Sequence, residues 1–244
     1  MTTTEATPPA APTTADAKPL HYRYSVLITA IGRFFRGFVP FAVVIAFNAL
    51  VQMVLIWIFD PLPGWNAPFI IATVISFVVL LWAFHALNVT ALAVATGKTS
   101  LIAVAKSGKN WLAFSLWTVA MYVLVLIAMF VSTWLALAVL AILAFVPMAA
   151  ADGKRNPIVT NFKVIGERWL RYVITAVILG ALLVFSTLMS GINGFFIGGN
   201  LGSIIVWLFW GITAAWYLNA LALIYRSTNT GAETEDSSST TIAD

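Results

Sequence analysis

Two stretches of this sequence contain no charged residue: 42 residues separate Lys109 from Asp152, and 54 separate Arg171 from Arg226. A helix needs about 20 predominantly apolar residues to cross the roughly 30 Å hydrocarbon core of a bilayer. Each stretch therefore holds two crossings. In lipid the backbone must satisfy its own polar groups, which such runs achieve as helices. Composition agrees: 61% of residues are hydrophobic and 9% are charged, against about 25% charged in soluble domains. The chain reads as an all-α polytopic membrane protein.

Six crossings are expected. The first spans about 37–59 and is followed by DPLPGWNAP (60–68), a turn by its Pro and Gly content. The second spans 69–96. As one helix the 42-residue run would extend about 63 Å, so it folds back near Phe130–Trp134 into crossings 111–130 and 133–150, and Pro147 kinks the latter. The last run breaks at GINGFFIGGN (191–200), giving crossings 170–189 and 202–225. The membrane domain is 22–226. The Thr/Pro/Ala-rich tail 1–21 and the acidic, Ser/Thr-rich tail 227–244 read as disordered. With both termini cytoplasmic, all 13 Lys and Arg fall inside and Asp60 is the only charge outside, as the positive-inside rule requires. The expected location is the plasma membrane.

Three segments resemble one another. Gly32-Arg33-Phe34-Phe35, Gly108-Lys109-Asn110-Trp111 and Gly166-Glu167-Arg168-Trp169 stand before crossings one, three and five. The residues upstream fit amphipathic helices: Ile158, Phe162, Ile165 and Trp169 make one apolar stripe, with Asn156, Thr160, Lys163 and Glu167 opposite. Asn156-Pro157 supplies a helix start. The expected unit is a short amphipathic interfacial helix, a Gly-aromatic hinge and a two-helix hairpin, used three times. Arg33, Arg36, Lys98, Lys106, Lys109, Lys154, Arg155, Lys163, Arg168 and Arg171 become candidate contacts to anionic inner-leaflet lipid. Trp57, Trp65, Trp111, Trp134 and Trp169 become interfacial anchors. The expected partners are the bilayer and a membrane protein. The basic balance is that of a cytoplasmic face and calls for no nucleic acid.

From about 24 to 227, the chain resembles the glycerophosphodiester phosphodiesterase membrane-domain family and related bacterial six-helix membrane proteins. The resemblance rests on PMAAADGKRNPIVTNFKVIGERWLRY (147–172) and NALALIYR (219–226). It implies a six-helix membrane domain, fused in some relatives to a soluble phosphodiesterase for which this chain has no room. The family's Pro-Gly break between crossings three and four is absent here.

Polar residues within the crossings are few. Asn48 and Gln52 share a face of the first, and His85 and Asn88 share a face of the second. An ionisable residue within the membrane is a functional-site candidate, whereas Asn, Gln and His also serve as interhelical hydrogen-bond glue worth about 1 kcal/mol. Both readings, ligand site and helix packing, stand at this point. ATGKTS (95–100) ends like a phosphate-binding loop, but Leu92 occupies the position of its first glycine and no strand precedes it. It reads as a helix end capped by Gly97. The chain has no cysteine, and its crossings carry no carboxylate pair or metal-ligand set. The expectation is a non-enzymatic protein without cofactor or metal: an accessory, scaffold or lipid-organising bundle at the inner leaflet. The alternative is a carrier or channel for a small amphiphile or lipid, using the polar cluster between the first two crossings.

Overall fold

The computed structural model describes residues 25–59, 67–106, 110–197 and 199–239. Within them the chain forms α1 (Ser25–Arg36), α2 (Phe38–Phe59), α3 (Ala67–Ala95), α4 (Leu101–Ala105), α5 (Trp111–Val131), α6 (Thr133–Ile142), α7 (Val146–Ala151), α8 (Pro157–Phe196) and α9 (Gly199–Ser239). Six segments are long and apolar enough to cross a membrane: Phe38–Ile58, Ala67–Ala95, Trp111–Val131, Thr133–Ala151, Pro157–Asn193 and Leu201–Thr228. The protein is a multi-pass helical membrane protein. The candidate residues Trp65 and Lys109 lie outside the described residues, as does the turn residue Asp60.

Consecutive crossings pack on one another, α2 on α3, α5 on α6, and α8 on α9. α9 also packs on α1, α2 and α3, while α7 joins α5 to α8 and α3. The core lies toward the end where the basic residues gather. There Phe41, Phe114, Phe145, Met148, Leu221 and Tyr225 are fully buried. Buried alanines (Ala91, Ala93, Ala149, Ala150, Ala222) let the backbones approach, the packing mode of helices without a solvent-driven hydrophobic effect. At the far end Phe130, Val131 and Trp134 are exposed.

Local chemistry explains the breaks. Ser132 is extended (φ −166°, ψ 139°) and ends α5, and its hydroxyl caps α6 by accepting from the Trp134 N–H at 3.2 Å. This places the reversal inside the Phe130–Trp134 window. The fourth crossing is interrupted at 143–145, with Pro147 in the first turn of α7. α1 gives way to α2 at Gly37, where a β-carbon would stand 2.5 Å from Val94 Cγ2 of α3. The hinge expected at Gly32 is therefore misplaced: Gly32 lies within α1.

Two helices run past the expected ends of their crossings. The segment 191–200 is helical through Phe196, so the break is shorter than its glycines imply. Glycine weakens a helix by about 1 kcal/mol without forbidding it, and the Asn193 amide donates to the Gly202 carbonyl at 2.7 Å across the turn. α9 likewise runs past the expected end of the sixth crossing, to Ser239. No proline follows Arg226 to stop it.

Candidate functional site

The ends of α3 and α7 are built from one six-residue pattern. Ala95-Thr96-Gly97-Lys98-Thr99-Ser100 and Ala151-Asp152-Gly153-Lys154-Arg155-Asn156 stand 56 positions apart. Gly97 (φ 82°) and Gly153 (φ 78°) both take the left-handed conformation. The Gly97 N–H donates to the Val94 carbonyl at 3.0 Å and the Lys98 N–H to Ala93 at 2.9 Å. Gly153 donates to Ala150 at 3.1 Å and Lys154 to Ala149 at 3.0 Å in the same pattern, the Schellman closure of a helix C-terminus. Three residues after each glycine a side chain caps the next helix. Ser100 accepts from the Ala103 N–H at 3.2 Å, and Asn156 from Val159 at 3.1 Å. Both helix reversals thus project their lysines at the same end of the bundle.

Between the two reversals lies a cleft of about 330 Å³, walled by Val89, Leu92 and Ala93 and ringed by Thr96, Lys98, Lys106, Asn110, Asp152 and Arg226. Asp152 holds one rim together. It accepts from the Tyr225 hydroxyl at 2.9 Å and from Arg226 Nη2 at 2.8 Å, with Lys154 Nζ at 3.8 Å. Asn110 Nδ2 donates to the Ala151 carbonyl at 3.2 Å, tying the start of α5 to the end of α7. Lys98 and Lys106 enter no ion pair or side-chain hydrogen bond among the described residues. Three cations and one carboxylate leave a net charge of +2 on the lining, an arrangement suited to an anion.

The other basic residues divide by use. Arg33 of α1 donates through Nη1 to the Ala95 carbonyl and to Val94 at 3.5 Å. Arg168, at the kink of α8 (φ −130°, ψ 25°), donates to the Ser227 carbonyl at 3.3 Å. Arg33 thus sits at the negative end of the α3 dipole, as cations at C-termini favour, and Arg168 fastens its kink to α9. Both guanidiniums are half-buried and hydrogen-bonded to backbone carbonyls of neighbouring helices. Burial, and then neighbouring Arg36, hold Arg33 below the usual arginine range. Lys163 pairs with Glu167 at 3.9 Å along one exposed face. Arg36, Lys154 and Arg155 are exposed, and Arg171 is half-buried.

The intramembrane polar residues do not converge. Gln52 exchanges hydrogen bonds with Ser76, accepting from its hydroxyl at 2.8 Å. Phe47 meets Trp82 at 5.1 Å between ring centroids, so Asn48 stands level with about residue 80 of α3. Asn88 lies two turns beyond, about 12 Å along the axis, and its amide donates to Phe84 in its own helix. His85 turns the other way, edge-on to Trp111 at 5.3 Å and to Phe114 at 4.8 Å on α5. Asn48, His85 and Asn88 are buried. Each keeps one polar atom without a partner among the described residues: Oδ1, Nε2 and Oδ1 respectively.

Of the tryptophans, Trp57, Trp134 and Trp169 are exposed, whereas Trp111 is half-buried against His85. Among the described residues no group of three or more His, Asp or Glu has metal-binding geometry. Sequence reasoning missed Asp152, Asn110, Tyr225 and Arg226. The repeated Ala-x-Gly-Lys pattern was the available signal. Comparison with family models, curated proteins and solved structures finds no match to this chain.

Proposed function

We propose that this protein is a non-enzymatic membrane bundle that gathers anionic lipid at the inner leaflet of the plasma membrane, with both termini cytoplasmic. The observation that carries this is the pairing, at one end of the bundle, of unpaired cations with exposed apolar helix faces. Arg36, Lys98, Lys106 and Arg155 have no ion-pair partner among the described residues. Beside them α1 exposes Ile28, Ile31 and Phe35, α4 exposes Leu101 and Ile102, and the start of α8 exposes Val159, Phe162 and Trp169. Apolar surface next to cations is how interfacial helices seat in an anionic headgroup layer, and each such cation contributes about 1 kcal/mol near that surface. Family membership is also our proposal, resting on the 147–172 resemblance. No carrier route is proposed through Asn48, Gln52, His85 and Asn88, because these side chains face different neighbours.

The test is native mass spectrometry of the full chain released from mixed phosphatidylglycerol and phosphatidylcholine nanodiscs. The protein is expected to retain phosphatidylglycerol preferentially, and to lose that preference as salt rises. Equal retention of the two lipids overturns the reading.

A further inference from the structure

We propose that the cleft between the two Ala-x-Gly-Lys reversals is a specific site for one phosphate ester, held by Lys98 and Lys106 as the charge-bearing ligands. This deepens the inner-leaflet lipid reading and rests on it: there the cations act as a diffuse field, whereas here two of them converge on one bound group.

Most polar groups of the cleft are already engaged. The Asp152 carboxylate is occupied by Tyr225 and Arg226 at 2.9 and 2.8 Å, with Lys154 close by. It therefore does not neutralise Lys98 or Lys106. The Asn110 amide is fixed on the Ala151 carbonyl, and the Thr96 hydroxyl donates to Ala93 at 2.8 Å. That leaves the Thr96 oxygen and the second N–H of Asn110 beside two ammonium groups that no carboxylate among the described residues claims. An ammonium pair with one amide donor beside it is complementary to phosphate oxygens, which accept several hydrogen bonds at once.

Size and placement narrow the ligand. About 330 Å³ is at the small end of the roughly 300–1,000 Å³ of ligand pockets, enough for a headgroup and too little for a whole lipid. The floor is apolar, formed by Val89, Leu92 and Ala93. Leu101 and Ile102 of α4, exposed immediately after the Lys98 reversal, extend apolar surface beyond it. The chemistry recognised is a phosphate ester, supplied either by an anionic lipid or by a soluble metabolite.

The experiment uses the full chain in mild detergent with three probes: short-chain phosphatidylglycerol, glycerol 3-phosphate and inorganic phosphate. Lys98→Gln/Lys106→Gln removes the charges and Thr96→Phe fills the cleft with charge unchanged. Arg36→Gln/Arg155→Gln removes cations outside the cleft. Because Lys98 and Lys106 support no other described residue, the first double variant should keep the wild-type thermal transition. Expected is about a 25-fold loss of phosphatidylglycerol binding for that variant, from about five-fold per lysine, with a loss for Thr96→Phe as well and a smaller loss for Arg36→Gln/Arg155→Gln, whose cations belong to the diffuse field. Displacement of the lipid by glycerol 3-phosphate or inorganic phosphate then assigns a soluble phosphate as the source, and no displacement assigns the lipid headgroup. If the two double variants lose binding equally and Thr96→Phe binds like wild type, the cleft site is overturned and the diffuse reading stands. A wild-type chain that favours none of the three probes over phosphatidylcholine overturns both.

Discussion

At position 153 two demands coincide. The backbone is left-handed, and a β-carbon would stand 2.5 Å from the Asn110 amide nitrogen. Gly97 shares the first demand but has open space around it. Left-handed backbone costs an ordinary residue about 1–2 kcal/mol. Gly97→Ala should therefore destabilise by about 1 kcal/mol, and Gly153→Ala by about 2 kcal/mol or more, since Asn110 must also leave the Ala151 carbonyl. Thermal unfolding in detergent compares the two, and equal penalties would remove the Asn110 contact from the account. Asp152→Asn should cost about 1–3 kcal/mol by weakening the tie to Arg226 and Tyr225. The double variant Asp152→Asn/Arg226→Gln should cost less than the sum of its parts. The cap at Gly97 was legible, because Gly-Lys after an apolar helix is a local signal. The role of Asp152 was not. Its partners lie 73 and 74 residues away, and local pattern carries no record of which distant side chain meets a carboxylate.

Within elements, the interrupted fourth crossing shows how a break is tolerated at membrane depth. The Phe145 N–H donates to Asn161 Oδ1 at 2.9 Å, and Asn161 Nδ2 donates to the Ile142 carbonyl at 2.8 Å. The Tyr172 hydroxyl takes the Ala141 carbonyl. Two side chains of α8 thus replace the missing helical bonds, which in lipid would otherwise cost several kcal/mol each. Asn161→Leu should destabilise by about 2–4 kcal/mol, seen as a lowered midpoint of unfolding in detergent. An unchanged midpoint would mean that the break closes on itself. Pro147 made the interruption readable, but nothing in the spacing around Asn161 singles it out as the residue that closes the break. The hinges show the same limit. Aligning the chain on Gly32, Gly108 and Gly166 found three related segments, yet the bends described fall at Gly37 and Arg168. At the first, glycine is required by the close approach of Val94, a tertiary contact that no spacing within α1 encodes.

For the whole molecule, hydropathy was enough to place six crossings, because a bilayer demands long uncharged helices and leaves little freedom. The crossings begin and end within a few residues of the expected bounds, except where the fifth starts at Pro157 as one kinked helix. The polar cluster fared otherwise. Shared faces on two helices did not specify which neighbours those faces meet, and His85 turned out to face α5. What joins the scales is the basic end, where the most buried residues and both Schellman reversals lie, together with Lys98 and Lys106, which have no ion-pair partner among the described residues. Our account requires that end to face the cytoplasm. The chain has no natural cysteine, so single cysteines report position cleanly. The decisive measurement is labelling of Arg155→Cys and Ile197→Cys with a membrane-impermeant maleimide, in intact cells and after permeabilisation. We predict that Ile197→Cys reacts in intact cells and Arg155→Cys only once the membrane is opened. The reverse pattern would place the lysine cleft at the outer surface and contradict the inner-leaflet function proposed here.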